Sequence, residues 1–168
     1  MFDMKIPILH LEDDVHHFQQ VVESNHLSFK EREVYRNGVN VSVELNKFGR
    51  NITCSVHLSS TAHHVCDRCL GEYDRQMEED FEVLFHLGAD DLKTDEDEVI
   101  IISPEEVEID LLPYIEENLI LSIPMKSLCK EECLGLCPNC GADLNFEKCT
   151  CNTEKIDPRW EKLKDLLQ

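Results

Sequence analysis

From Val39 the apolar residues fall on alternate positions, Val39, Val41, Val43 and Leu45, with Asn40, Ser42, Glu44 and Asn46 between them. Period two puts every second side chain on one face, so this run predicts a strand with one face buried. Lys47-Phe48-Gly49-Arg50-Asn51 supplies a glycine turn, after which Ile52, Cys54, Val56 and Leu58 alternate with Thr53, Ser55, His57 and Ser59. The two runs predict a β-hairpin. A third alternating run, Phe81, Val83, Phe85 and Leu87, follows an acidic approach and stops at Gly88. Strand character resumes over Val99 to Ile102, and Val107 and Ile109 alternate with acids. Beyond Asp110 the period changes. Leu112, Ile115, Leu119 and Ile123 lie three or four apart, which predicts one amphipathic helix over about 111–121, with Pro113 in its first turn behind an Asp cap.

The first forty residues carry weak apolar spacing interrupted by His10, His16, His17 and His26, and read as strand and turn. Ala89 to Glu98 is polar and self-repelling, the composition of a surface loop. After Pro124 the composition shifts to Cys, Gly, Asn and Lys, and Asp157-Pro158 opens a short helix with Trp160, Leu163 and Leu167 on one stripe, expected to dock on the body. The expected fold is therefore α+β. A mainly antiparallel sheet with one packed helix fills residues 1–125, and a cysteine-rich, zinc-binding tail with a short C-terminal helix fills 126–168.

Charge narrows the partners. Sixteen Lys and Arg stand against thirty-five Asp and Glu, a net −19, which excludes a generally cationic coat for nucleic acid. The deficit is uneven: residues 1–70 carry a net −2, residues 71–118 a net −16, and the remainder −1. The longest apolar stretches, such as Val99-Ile100-Ile101-Ile102, are too short to span a bilayer. Met1-Phe2-Asp3 opens with an acid and no cationic-then-apolar segment follows it, so the expected compartment is the cytoplasm.

Nine cysteines in a reducing compartment call for a reason other than disulfides. Cys54 shares the apolar face of Ile52, Val56 and Leu58 and reads as a core thiol. The other eight form close pairs: Cys66/Cys69, Cys129/Cys133, Cys137/Cys140 and Cys149/Cys151. Tetrahedral zinc needs sulfurs at about 2.3 Å, and two intervening residues let one tight turn aim both at a point. Cys137-Pro138-Asn139-Cys140-Gly141 has the character of such a knuckle, and eight residues later Cys149-Thr150-Cys151 can close its site. Cys66, Cys69, Cys129 and Cys133 then form the second site across fifty-nine residues. Closing that loop costs roughly 4 kcal/mol, against roughly 10–16 kcal/mol from a structural zinc site. The tail would then be clamped to the hairpin. A different division places Cys129, Cys133, Cys137 and Cys140 on one metal and leaves Cys66 and Cys69 with Cys149 and Cys151, or with His63 or His64.

Catalysis finds little support. Four thiolates per metal leave no open position for an activated water. No His-Glu-x-x-His, no Gly-x-Ser-x-Gly and no Gly-Lys-Ser/Thr occurs, and Cys66-Asp67-Arg68-Cys69 lacks the helix a redox pair requires. The reading is of a protein without catalytic residues or a small-molecule substrate.

Three places in the chain resemble the YceD family, bacterial and plastid proteins described as needed for accumulation of large-subunit ribosomal RNA. They are Cys66-Asp67-Arg68-Cys69-Leu70 after an alternating strand, Leu119-Ile120-Leu121-Ser122-Ile123-Pro124 leading to Cys129, and Cys133-Leu134-Gly135-Leu136-Cys137-Pro138-Asn139-Cys140-Gly141-Ala142-Asp143-Leu144-Asn145 followed by Cys149-Thr150-Cys151 and Asp157-Pro158-Arg159-Trp160. The resemblance implies a non-enzymatic factor in 50S subunit assembly that acts on 23S rRNA or its precursor in the cytoplasm, with metal supporting the fold. Phosphate binding needs Lys and Arg. The candidates are Arg68, Lys126, Lys130, Arg159, Lys162 and Lys164. The alternative is an acidic module or chaperone that receives a basic large-subunit ribosomal protein.

Overall fold

The structure is a computed structural model that describes residues 4–88 and 99–151. The expected loop Ala89 to Glu98, the C-terminal helix with Trp160, Leu163 and Leu167, and Arg159, Lys162 and Lys164 lie outside the described residues. By its internal contacts the chain divides into two compact units. One comprises the chain up to His64 together with Tyr73–Met125; the other comprises Val65–Glu72 and the chain from Lys126 onward.

In the first unit, β1 (Lys5–Pro7), β2 (Val15–Val22), β3 (Val39–Phe48), β4 (Asn51–Val65), β5 (Glu72–Leu87), β6 (Val99–Ile102) and β7 (Glu108–Asp110) precede one helix, α1 (Leu112–Ser122). Five strands make a sheet in the order β2-β3-β4-β5-β6, and β1 pairs with β7 in a separate ribbon. β2 and β3 run antiparallel with Phe18 opposite Val43, and β3 and β4 antiparallel with Val43 opposite Val56. Side-chain bonds Ser55–Glu82, His57–Asp80, Thr61–Gln76 and His63–Asp74 step in opposite senses along β4 and β5, which is antiparallel register. β6 departs from the pattern, pairing parallel to β5 with Leu84 opposite Val99.

The expected hairpin is present, and its strands are longer than the apolar alternation suggested. β4 continues from Leu58 through Ser60, Ala62 and His64, all buried, so the inward face persists where the apolar residues stop. β5 begins at Glu72 rather than near Phe81. Its first half buries only Met77, with Tyr73 half-buried against His64 at 5.6 Å, and its outward acids bond to β4 hydroxyls and imidazoles, so polar cross-strand pairs hold a stretch with little apolar period. The histidine-rich start also forms a strand: β2 buries Val22 fully and Phe18 in part.

The core joins Val39, Val41, Val43, Leu45, Ile52, Val56 and Leu58 of the hairpin to Ile115 and Leu119 of α1. Phe85 of β5 meets Tyr114 of α1 edge to face at 5.8 Å. Cys54 is buried in this cluster, and burial pushes its thiol up to about 12, which leaves it an inert protonated apolar group at neutral pH. The expected Asp cap acts one residue ahead of the N-cap Leu111: Asp110 Oδ1 accepts the Leu112 N–H at 3.0 Å. No helix among the described residues is long and apolar enough to cross a membrane.

Candidate metal centre

All eight paired cysteines lie in the second unit, within Val65–Glu72 or beyond Lys126. They form two groups. Cys66, Cys69, Cys129 and Cys133 have sulfurs mutually within 4.8 Å, and so do Cys137, Cys140, Cys149 and Cys151. The other division, with Cys129, Cys133, Cys137 and Cys140 around one point, is not the one formed. Neighbouring sulfurs are 3.8 Å apart for Cys66–Cys133, 3.7 Å for Cys69–Cys129, 3.5 Å for Cys140–Cys149 and 3.2 Å for Cys137–Cys149. Disulfides need about 2.05 Å, and every cysteine is free. Four sulfurs bonded at 2.3 Å to a tetrahedral ion would be about 3.8 Å apart, so the spacing suits a closed four-thiolate site.

Each group is seeded by the same turn. In Cys66–Gly71 the N–H of Leu70 donates to Cys66 O at 2.9 Å and the N–H of Cys66 to Gly71 O at 2.9 Å. In Cys137–Ala142 the N–H of Gly141 donates to Cys137 O at 2.9 Å and the N–H of Cys137 to Ala142 O at 2.8 Å. The residue after the second cysteine is left-handed in both, Leu70 at φ 57° and Gly141 at φ 74°. Glycine takes that conformation freely, whereas a leucine there costs about 1–2 kcal/mol. Leu70 is 65% exposed, so packing returns little of that strain. Leu70→Gly is expected to raise the unfolding free energy of the metal-loaded unit by about 0.5–1 kcal/mol, because unfolded glycine recovers part of the gain. Chemical denaturation followed through this unit checks it; a clear loss of stability would show that the leucine side chain is used in the fold.

Backbone N–H groups crowd the first sulfur of each turn. Cys66 is drawn down to about 6, first by the N–H of Cys129 and then by that of Cys69, and Cys137 to about 6 by the N–H groups of Cys140 and Asn139. Cys129 is pushed up to about 12, by loss of water first and by the neighbouring sulfurs next, and Cys151 to about 12, first by the sulfur of Cys149. Four sulfurs this close cannot all be anions without a cation among them. Each group therefore holds a sulfur drawn toward the thiolate, joined in the first group by Cys133, and at least one thiol whose proton a metal ion would displace.

Sequence reasoning did not assign a structural role to the residues that shape the first group. Arg68, proposed above as a phosphate contact, donates from Nη1 to Cys133 O at 2.8 Å and to Glu131 O at 3.4 Å, tying one cysteine pair to the other. Asp67 Oδ2 accepts the Ser127 N–H at 2.7 Å while the Asp67 N–H donates to Ser127 O at 2.8 Å. Gly135 is required by closeness: a Cβ there would lie 3.0 Å from Arg68 O. Lys126 and Lys130 are exposed in the same unit, and Lys130 is followed directly by the exposed Glu131 and Glu132. Asn145 donates to Cys133 Sγ at 3.4 Å. In the sequence it stood only as the last residue of the motif running from Cys133, with nothing to mark it as a partner of that sulfur.

Comparison with known proteins adds an identity to this geometry. The family described as "Large ribosomal RNA subunit accumulation protein YceD" matches residues 54–167, a span that encloses both cysteine groups. The chain belongs to the YceD family. Among the proteins it is similar to, an uncharacterized protein of Mycobacterium tuberculosis is 38% identical over 104 residues, 61% of this chain and 49% of that protein. The chloroplastic large ribosomal RNA subunit accumulation protein YCED homolog 1 of Arabidopsis thaliana is 37% identical over 65 residues, 39% of this chain and 20% of that protein. The uncharacterized protein YlbN of Bacillus subtilis is 25% identical over 154 residues, 90% of this chain and 87% of that protein. The chain spans about half the length of the mycobacterial relatives it matches. No solved structure matches. At the level of the YceD family, the role is ribosome-related.

Proposed function

We propose that the protein is a non-enzymatic factor in assembly of the large ribosomal subunit, supporting accumulation of 23S rRNA in the cytoplasm, with zinc as the structural metal of both cysteine groups. The observation that carries this reading is the YceD match over residues 54–167. The donor set agrees with it: four thiolates saturate a tetrahedral ion and leave no position for a substrate or water. Cells lacking the protein are expected to show a lowered ratio of 23S to 16S rRNA, restored by the wild-type chain. An unchanged ratio would reject the proposal.

A second reading of the contact itself is favoured by the sheet. Strand alternation places Asp74, Glu78, Asp80 and Glu82 of β5 on the outward face, with Glu44 of β3 in the same layer. A depression of about 620 Å³ there is lined by His17, Ser42, Glu44, His57, Asp80 and Glu82. Such a surface attracts a basic ribosomal protein and repels phosphate. The cysteine unit does not reverse this, because a dication on four thiolates keeps a net charge of about −2. Crosslinking in growing cells separates the two. Recovery of 23S rRNA supports direct RNA contact through Arg68, Lys126 or Lys130, whereas recovery of a ribosomal protein alone, lost on Glu44→Ser with Asp80→Ser and Glu82→Ser, supports the acidic face.

A further inference from the structure

The two cysteine groups are joined by a small hairpin. From Cys133 the chain runs through Gly135 and Leu136 to Cys137, turns over the knuckle, and returns through Asp143 to Asn145. The N–H of Leu144 donates to Gly135 O at 2.9 Å, and Leu136 bridges Asp143 in antiparallel fashion. The knuckle end of this hairpin belongs to the group of Cys137, Cys140, Cys149 and Cys151. Its open end carries Cys133 of the other group.

Asn145 closes that open end. Its Oδ1 accepts the Leu134 N–H at 3.0 Å, and its Nδ2 donates both to Cys133 Sγ at 3.4 Å and to Asp143 Oδ1 at 2.7 Å. Asp143 Oδ1 also accepts the Asn145 backbone N–H at 2.9 Å, which fixes the side-chain rotamer from the hairpin's own turn. The position of one sulfur in the first group is thus set by a side chain whose own placement depends on the segment held between Cys140 and Cys149. Hydrogen-bond partners that orient a metal ligand from outside the coordination sphere typically change metal affinity by about 10–100-fold.

We propose that Asn145 is a positioning residue through which metal binding at either cysteine group raises the metal affinity of the other. The proposal rests on the reading of both groups as metal sites. Cobalt(II) is a suitable probe, titrated into the reduced, metal-free full chain in competition with a chelator and followed by thiolate-to-metal charge-transfer absorption. Disabling the second group with Cys149→Ser and Cys151→Ser is expected to lower the affinity of the first about tenfold or more. In the Asn145→Ala background the first group is expected to start at the lower affinity and to lose little more when the second is disabled. Asn145→Asp keeps the acceptor for Leu134 and loses the donor to Cys133, so it is expected to behave as Asn145→Ala; behaviour like the wild type would assign Asn145 to the loop alone and overturn the proposal. Equal first-group affinity with the second group intact or disabled in the wild-type background also overturns it, with no change at Asn145 needed. Failure of the chain to take up any cobalt overturns the metal reading itself, and the coupling with it.

Discussion

Removing metal from the reduced protein with a strong chelator at neutral pH is expected to unfold the cysteine unit and leave the sheet intact. The reason is what each unit has for a core. Among the described residues of the cysteine unit, those fully buried are Cys66, Cys133, Gly135 and Cys137, three metal-binding candidates and a glycine. Among those described residues no apolar side chain other than the cysteines is fully buried, so none replaces the ion. A structural zinc site supplies roughly 10–16 kcal/mol of folding free energy, far beyond what the handful of turn hydrogen bonds supplies at about 1 kcal/mol each. Without the cation, Cys66 and Cys137 remain thiolates beside sulfurs pushed toward protonation, an arrangement with nothing to hold it closed. The first unit keeps its own core of strand and helix side chains and needs no metal. Amide hydrogen exchange reads the difference. The N–H groups of Leu70, Leu136, Cys137, Gly141 and Leu144, all hydrogen-bonded in the folded unit, should lose protection on chelation, while those of β3 and β4 keep theirs. Full protection of the cysteine unit in excess chelator would remove the metal from the account of its fold.

Sequence pattern made the grouping of the cysteines legible because closely spaced pairs announce themselves, whatever surrounds them. Cys66-x-x-Cys69 and Cys137-x-x-Cys140 could be read without knowing the fold, and so could the β3–β4 hairpin, whose inward positions are nearly all apolar. The first half of β5 was hidden, since its strand state depends on Asp74 and Asp80 bonding to His63 and His57 of β4, partners visible only once the register is known. Parallel pairing of β6 was equally out of reach, because Val99 to Ile102 reads the same in either direction. Two local features were obscured for opposite reasons. Leu70 occupies a left-handed position that residue type argues against, and Asn145 looks like ordinary turn polarity until Cys133 is found beside it. Where an interaction is carried by one residue reaching across the chain, no periodicity records it.

Leu119→Ala is expected to destabilise the first unit by about 2–5 kcal/mol, the range for truncating a fully buried leucine, out of a margin of about 5–15 kcal/mol for a domain. Leu119 has no exposed surface, and it shares the inner side of α1 with Ile115. The site also resists collapse. The Leu119 carbonyl accepts the Tyr35 hydroxyl at 2.9 Å, the same hydroxyl lies 2.6 Å from Ser122 Oγ, and Tyr35 is itself buried, so the last turn of the helix is pinned from the side and cannot settle into the cavity. Tyr35→Phe would remove the pin at a cost of about 0.5–1.5 kcal/mol, because Ser122 Oγ still donates to the Leu119 carbonyl at 2.8 Å and keeps both helix-end groups bonded. Because the two residues touch, the double variant should be less destabilised than the separate losses imply: once the pin is gone, the helix can move toward the space left by the leucine. Two turns of chemistry on one helix thus separate cavity from anchor. Leu121, two residues on and 75% exposed, provides the control, since Leu121→Ala should stay within about 0.5 kcal/mol of the wild type. Urea titrations of the metal-loaded protein, read by far-ultraviolet circular dichroism of the sheet, give all four values. A Leu119→Ala loss no larger than that of Leu121→Ala would mean that α1 does not cover the sheet as the buried cluster requires.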